Sequence, residues 1–475
     1  MTAANTTGTR LTSVAAVHAG DESAAETSAI NAVNTTYILL VATAAALGGL
    51  MFGFDVAIIT GAGPFIEKQF ALDALQLGWA FSSLLFGCVL GVAVAGLLVD
   101  RIGRRAMMVV VAALFGATTV LTGAAPTFDA FILARFLGGL AVGAVSLVAP
   151  MYVSEVAPAR VRGRMGALYQ MAIVTGILVS YLINYALRNS GADAWRYMFY
   201  SGSVPAALYF VLALSVPESP RFLVRAGKDA QALSILQRIG GVAPEAAVHE
   251  IRTSLRADEG SWRDLLRAHA RAPLSISFIL AILIHLSGIN TVIDYAPTIF
   301  RSAGFTLDAA LFSTFVVGVA NFAFTLISFW VIDRFGRRPL YLVGSLGMTL
   351  ALACLVVSVL SKHFFGTTVL LFLVVYLFFF ASCIGPVFWT LIPEIFPNTI
   401  RGKAMTVPVL TQWVANAVVV LFFPAVFHSI GQAATFGLLA AACLAQAIFT
   451  FVAVPETKNR SLEEISAQWD RSNRQ

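Results

Sequence analysis

The chain alternates between long apolar runs and short polar segments. Twelve runs are long enough to cross a bilayer, which takes roughly 20 apolar residues in a helix. Lipid cannot satisfy exposed backbone groups, so each run is predicted to be α-helical. A membrane β-barrel would instead show alternating segments of about ten residues. The predicted spans are 37–63, 78–99, 106–124, 129–152, 165–187, 196–216, 274–300, 309–332, 339–361, 367–391, 403–428 and 432–454.

The polar segments divide the chain into two halves with a tail at each end. Residues 217–272 are charged and contain helical stretches at Asp229–Ile239 and 246–256, so a short cytoplasmic helical domain is predicted there. Residues 1–36 lack the basic and then apolar pattern of a signal peptide and are interpreted as a mobile cytoplasmic tail. The predicted six-helix bundles cover 37–216 and 273–455, and 456–475 form a second cytoplasmic tail.

Three charged motifs occur once in each half. Asp-Arg-x-Gly-Arg-Arg begins at positions 100 and 333, Glu-x-x-Pro-x-x-x-Arg-Gly at 155 and 394, and Pro-Glu-Ser/Thr at 217 and 455. Internal repeats of this kind underlie many secondary transporters. Membrane topology alone explains the arginines but not the matched Asp, Glu, Gly and Pro positions. We interpret them as a cytoplasmic gating network that forms when that side closes: Asp100, Arg104, Glu155, Arg162, Glu218, Asp333, Arg337, Glu394 and Arg401.

Composition excludes a soluble protein, because 58% of residues are hydrophobic and 12% charged, whereas a soluble domain has about 25% charged residues. The arginines gather in loops on one side of the predicted spans. The positive-inside rule therefore predicts a multi-pass inner-membrane protein with both termini in the cytoplasm. The net charge of +6 then reflects topology and does not indicate a nucleic-acid partner.

Motifs of enzymes and pumps are not found in the sequence. It contains no Walker loop, no His-Glu-x-x-His, no Gly-x-Ser-x-Gly and no metal-spaced Cys/His cluster. The four cysteines lie in apolar runs without a pairing pattern. The sequence therefore predicts a protein that is not an enzyme, binds no cofactor or metal, and contains no ATP-driven pump.

Asp55 and Arg135 are charged residues inside apolar spans of the first half. Asp55 is in the middle of the first span and Arg135 is near the start of the fourth. An acid in mid-membrane costs roughly 2.5–3.5 kcal/mol on insertion scales and is rarely idle. If Arg135 faces Asp55 and can release it, the pair forms a proton-coupling site. The alternatives are a permanent structural ion pair, or an arginine at the membrane interface.

Amide and aromatic side chains form a second polar set within the spans. Amides pair with hydroxyl groups, and indole rings stack on the C–H face of a sugar, so the set favours a cavity for a polyhydroxy ligand. Any single member is more simply a hydrogen bond between helices. The set comprises Gln170, Asn290, Asp294, Asn321, Trp389, Gln412, Trp413 and Asn416.

Four stretches make the chain resemble the sugar porter family of the major facilitator superfamily: residues 96–105, 217–221, 286–290 and 455–458. The resemblance covers about residues 37–465. It implies an all-α membrane protein of twelve transmembrane helices in two pseudo-symmetric six-helix bundles, with a cytoplasmic helical domain between them and alternating access. It also implies that Asp55 is the acid of proton-coupled members and Arg135 its partner. The implied sugar site is Gln170, Asn290, Asn321, Trp389, Gln412 and Trp413.

The seventh span departs from the family pattern. Ile284 and His285 stand where two glutamines are common, and Asp294 stands where an aromatic is common. Asp294 lies one helical turn beyond Asn290, on the same helix face. It is expected to bind substrate hydroxyls, to assist proton coupling, or to pair with His285 if the helix is unwound between them. His285 and Asp294 are therefore added to the predicted substrate-binding residues.

The sequence as a whole predicts a monomeric proton symporter for a hexose, pentose, polyol, inositol or modified sugar. Its partners are that substrate, the proton and the lipid bilayer. A passive sugar facilitator in which Asp55 is structural is the main alternative. A transporter-like nutrient sensor is disfavoured, because only about twenty residues follow Pro455.

Overall fold

The computed structural model describes residues 35–157, 159–239, 244–257, 268–396 and 404–458. Within these ranges the chain is helical and forms no strand. The predicted tails fall almost wholly outside the described residues. Six helical spans precede the central charged segment: Thr35–Phe70, Ala74–Ile102, Arg104–Ala124, Phe128–Val156, Ala159–Leu187, and Ala194–Ser201 continued by Ser203–Ser215.

The second half contains the remaining spans. Its seventh span is broken into three pieces, and its tenth span contains a π-helical turn at Phe380–Ile384. The helices are Ala268–Leu286, Ile289–Asp294 and Ala296–Ser302 (the seventh span), Leu307–Phe335, Arg337–Leu360, Gly366–Phe379 with Gly385–Ile395, and Thr406–Ala453.

The last of these helices comprises two spans. Thr406–Ala453 has 48 residues, which at about 1.5 Å per residue gives a length of about 72 Å, more than twice the hydrocarbon core of about 30 Å. Gly431 interrupts it with non-helical angles of φ 80 and ψ 172. The eleventh and twelfth spans are thus 406–430 and 432–453, and the predicted total of twelve spans is confirmed for the described residues.

Small residues allow two helices of the first half to touch at their backbones. A Cβ atom on Gly87 would overlap the backbone of Phe136, and one on Gly143 would overlap that of Cys88. The second and fourth spans are therefore packed as closely as the Gly-x-x-x-Gly spacing permits. This packing brings the fourth span, which carries Arg135, against the middle of the bundle.

Three short helices connect the two halves: Pro220–Arg225, Asp229–Ile239 and Pro244–Ala257. They pack around a small core of Leu223, Val224 and Ala232 that is separate from the core of the spans. Each helix alone is too short to be stable in water, so this shared apolar face holds them together.

The seventh span is broken at two positions. Gly288 has a left-handed conformation with φ 85, and a Cβ there would overlap Leu439. Tyr295 leaves the helical region again, with φ −96 and ψ 15. Ile289–Asp294 is thus a separate helical piece, and broken helices of this kind commonly line the central sites of transporters.

Candidate functional site

Asp55 and Arg135 form a buried ion pair between the first and fourth spans. Their side chains are 4% and 2% exposed, and the Arg135 Nη1 donates to Asp55 Oδ1 at 2.9 Å. The Nη2 donates to the Asp55 backbone oxygen at 3.3 Å, and the guanidinium lies 5.2 Å from the centre of the Phe199 ring. The two predicted residues are therefore in direct contact. A buried pair stays charged only if close, well-aligned contacts offset the loss of hydration.

A cavity of about 250 Å³ lies between the two halves. The first span lines it with Phe52, Gly53 and Val56, so Asp55 faces away from the cavity, toward Arg135. The ion pair is therefore directly behind one wall. The polar residues that line the cavity are Gln170, His285, Asn290, Asn321, Thr325, Trp389, Gln412, Trp413 and Asn416.

Seven of the eight predicted substrate-binding residues line this cavity, and Asp294 does not. Within the helical piece Ile289–Asp294, the residues that face the cavity are Ile289, Asn290 and Ile293, which lie on one side of the helix. Asp294 lies at the edge of that face and at the end of the helical piece. The helix periodicity placed it correctly relative to Asn290, but the cavity does not extend that far.

Two cavity side chains have polar atoms available for a ligand. His285 is 6% exposed, and neither of its ring nitrogens has a hydrogen-bond partner among the described residues. The Oε1 of Gln412 is also unpaired. An imidazole and an amide together offer both donors and acceptors, which is the requirement for binding hydroxyl groups. The hydrogen bond between His285 and Asp294 that an unwound helix would allow is not formed in this structure.

The repeated motifs build matching charged clusters, one in each half. In the first half the Arg104 Nη2 donates to Glu155 Oε1 at 2.9 Å and lies 3.0 Å from Asp100 Oδ1. In the second half the Arg337 Nη2 donates to Glu394 Oε1, also at 2.9 Å. Both clusters lie on the side of the molecule that carries the basic turns, which we call the basic side.

A second glutamate in each half caps the helix that follows the turn. Glu218 accepts hydrogen bonds from the backbone N–H groups of Arg104 and Arg105, and Glu456 accepts them from Arg337 and Arg338. The preceding Gly103, with φ 94, leaves no space for a side chain beside Glu218. Each carboxylate lies at the positive end of a helix dipole.

Three further residues of these clusters were not predicted from the sequence. The Thr457 hydroxyl donates to Glu394 Oε2 at 2.6 Å, and the Ser219 hydroxyl donates to Glu155. Glu456 is the third. The repeated Pro-Glu-Ser/Thr motif is the sequence feature that could have indicated these three residues. Among the predicted network residues, Arg162 and Asp333 have undescribed side chains, and Arg401 lies outside the described residues.

Contacts between the halves lie on the side opposite to the basic side. The Phe81 ring is 4.3 Å from the Tyr295 ring, and Arg188 Nε is 2.9 Å from Asp308 Oδ1. A Cβ on Gly78 would overlap the backbone oxygen of Leu421 in the other half. On the basic side, every ion pair within the described part of the chain joins residues of the same half or of the central helices.

Twelve spans in two halves around a central polar cavity define a membrane transporter of the secondary type, and not an enzyme. The chain belongs to the Sugar (and other) transporter family, whose pattern it matches over residues 41–469. The predicted sugar porter fold of the major facilitator superfamily is thereby confirmed.

Relatives of known activity cover nearly the whole chain. The arabinose-proton symporter of Bacillus subtilis is 36% identical over 91% of this chain and 95% of its own length. The D-xylose-proton symporter of Escherichia coli is 36% identical over 92% of this chain and 96% of its own. The inward-open structure of the xylose transporter XylE from E. coli is 34% identical, with a TM-score of 0.81, and covers 91% of this chain and 100% of that one.

Proposed function

We propose that the protein is a proton-coupled symporter that carries a neutral polyhydroxy compound of monosaccharide size by alternating access. The observation that carries this proposal is the buried Asp55–Arg135 pair directly behind the cavity wall. The named activities of the arabinose-proton and D-xylose-proton symporters support it.

The lining of the cavity favours a neutral ligand. No Asp, Glu, Lys or Arg side chain is among its lining residues, within the described part of the chain. The volume of about 250 Å³ lies just below the range of about 300–1,000 Å³ for drug-sized small-molecule sites. A single hexose, pentose, polyol or inositol fits these properties better than a sugar acid or an oligosaccharide.

The ion pair supplies the coupling to the proton. When Asp55 takes up a proton it loses its charge, and Arg135 loses the one carboxylate that lies within hydrogen-bond distance of it among the described residues. An unpaired buried cation is costly, so the first and fourth spans rearrange around it. Because the first span also lines the cavity, substrate binding and proton binding act on the same helix.

The conformation represents the state in which the extracellular side is closed. The basic side is cytoplasmic by the positive-inside rule, and the halves touch on the opposite side. The bundles 37–216 and 273–455 then rock about the cavity, with 217–272 as the cytoplasmic domain. The charged clusters then form the cytoplasmic gate, and Arg162, Asp333 and Arg401 remain predicted members of it. The protein works as a monomer in the inner membrane, with both tails in the cytoplasm.

The Asp55→Asn variant tests symport against passive facilitation. Uptake of radiolabelled D-xylose, L-arabinose, D-glucose, D-galactose and myo-inositol is measured in proteoliposomes, with and without an inward proton gradient. The variant is expected to lose accumulation against a gradient and to retain exchange of substrate at equal concentrations. Asp129→Asn, which changes an exposed acid, is the matched control. Full accumulation by Asp55→Asn would refute the role of Asp55.

A further inference from the structure

The two halves line the central cavity with side chains of unequal polarity. The first and fifth spans contribute seven lining residues, and among these only Gln170 has a hydrogen-bonding side chain. The eighth and eleventh spans, in the other half, contribute five lining residues, and all five have one. We call the surface from the first and fifth spans the first-half wall. Its apolar members are Phe52, Gly53, Val56, Ile173, Val174 and Ile177.

The first-half wall is a continuous surface. A Cβ atom on Gly53 would overlap the backbone of Ile173, so the first and fifth spans are in backbone contact beside the cavity. The helical piece Ile289–Asp294 packs against the first span. It extends the wall with Ile289 and Ile293, which also line the cavity.

The wall is polar at one end and aliphatic at the other. The four lining residues of the fifth span recur at the spacing of a single helix face: Gln170, Ile173, Val174 and Ile177. This span runs from the basic side to Arg188, whose ion pair with the second half lies on the closed side. Ile177 is seven residues beyond Gln170 and therefore about 10 Å closer to the closed side.

Three aliphatic side chains from three helices line the closed end of the cavity. Val56 and Ile177 are the lining residues of the first and fifth spans that lie nearest to the closed side. Ile293 is the corresponding residue of the seventh span, two positions before Tyr295, whose ring contacts the other half there. All three are half-buried. Among the described lining residues of these three spans, no polar one lies closer to the closed side.

The closed end therefore favours a C–H group of the substrate over a hydroxyl group. A hydroxyl placed against methyl groups gives up its hydrogen bonds to water and gains none in return, which disfavours binding. A methyl group in the same place leaves water without that loss. The second half can receive the substrate hydroxyls, because Gln412 Oε1 and both ring nitrogens of His285 have no hydrogen-bond partner among the described residues.

We propose that the substrate is a 6-deoxyhexose, a sugar in which a methyl group replaces the terminal hydroxymethyl group. The inference rests on the proposed transport of a neutral compound of monosaccharide size and names its class. The ring hydroxyls face the second half, and the methyl group, which projects from the ring, contacts Val56, Ile177 and Ile293. A hexose would place a hydroxyl where the wall offers no partner, and a pentose would leave the same space unfilled. Ile177 and Ile293 are thereby specificity-determining residues.

The test compares sugars that differ by one oxygen atom. The pairs are 6-deoxy-D-glucose and D-glucose, D-fucose and D-galactose, and L-rhamnose and L-mannose. Binding to the full chain, purified in detergent, is measured by isothermal titration calorimetry. In at least one pair the 6-deoxy sugar is expected to bind about 10–100-fold more tightly, the range by which an apolar pocket disfavours an added hydroxyl; the lower limit corresponds to about 1.4 kcal/mol. If no pair shows such a preference, the inference is wrong.

Two substitutions test whether the wall causes the preference. Ile177→Gln and Ile293→Gln each add an amide at the closed end, which gives the terminal hydroxyl a partner. Each is expected to bring the two sugars of the selected pair within about threefold of each other. Ile132→Gln adds the same amide to a half-buried isoleucine of the fourth span, outside the cavity lining, and is expected to keep the wild-type preference. An unchanged preference in both cavity variants would refute the role of the wall.

Binding in detergent does not require a proton gradient, so it separates this inference from symport. Equal binding within every pair would overturn the inference even if the protein accumulates sugar with protons. Full accumulation by Asp55→Asn would refute symport, whereas a measured preference for the 6-deoxy sugar would still support the inference. If wild type binds no sugar of any pair, the inference is wrong whatever the transport assay shows.

Discussion

Replacing Gly78 by alanine is expected to shift the protein away from the closed extracellular side. Gly78 is on the second span and faces the backbone of Leu421 on the eleventh span, in the other half. An added Cβ would overlap the Leu421 backbone oxygen, and a backbone atom cannot move aside as a flexible side chain does. The contact exists only while the two halves touch on this side. The overlap therefore raises the free energy of the closed conformation and not that of the open one.

The size of the shift follows from the cost of overpacking. One extra methyl group in a tightly packed interface costs about 1–3 kcal/mol. If that cost falls on the closed state alone, the ratio of closed to open molecules falls by a factor of about 5–150. The Phe81–Tyr295 ring contact, at 4.3 Å, lies next to this site and is expected to separate with it.

The assay is labelling of a Leu421→Cys background by a membrane-impermeant thiol reagent added from outside. Leu421 is 6% exposed in the closed state, so its labelling rate reports how often this side opens. The Gly78→Ala substitution is expected to raise that rate by the same factor of about 5–150. The unmodified chain, in which Cys88, Cys383 and Cys443 are buried, measures the background labelling.

Gly87→Ala is the matched control. Its Cβ would also overlap a backbone oxygen, that of Phe136, but both residues belong to the first half. The control is expected to lower the melting temperature without changing the labelling of Leu421→Cys. Equal labelling in the two alanine variants would refute the argument that Gly78 acts on the contact between the halves.

Two further sets of substitutions test the charged residues. Arg135→Ala leaves Asp55 buried without its partner and is expected to lower the free energy of unfolding by about 3–5 kcal/mol. Arg188→Ala breaks a more exposed ion pair and is expected to lower it by about 0–1 kcal/mol. Thermal unfolding in detergent should show the larger loss for Arg135→Ala. Glu218→Gln and Glu456→Gln each weaken a helix cap and should lower the free energy of unfolding by similar amounts, about 0.5–2 kcal/mol. Clearly unequal losses would contradict the equivalence of the two clusters.

Patterns that recur every few residues were sufficient to predict the fold. The helix predicted at Asp229–Ile239 has those bounds in the structure, and the predicted gap between the last two spans falls at Gly431. Apolar length and small-residue spacing are local properties, so the sequence expresses them directly. Where the helices are irregular, as at the π-helical turn Phe380–Ile384, packing between helices decides the geometry and the sequence shows no comparable signal.

The residue types of the candidate site were predicted from the sequence, but the extent of the cavity was not. Asn290 and Trp389 line the cavity as expected, because amide and indole groups inside an apolar span need a polar surface. Asp294 was grouped with them, since helix periodicity gives the direction of a side chain but not where a cavity ends.

The two halves share a fold but supply different groups of predicted functional residues. Of the seven predicted residues that line the cavity, only Gln170 comes from the first half, whereas the first half alone supplies both members of the Asp55–Arg135 pair. The predicted substrate-binding residues and the predicted proton-coupling residues therefore lie mainly in opposite halves. The first span connects the two sets, because it carries Asp55 and also lines the cavity through Phe52, whose ring lies 5.7 Å from the ring of Trp413 on the eleventh span.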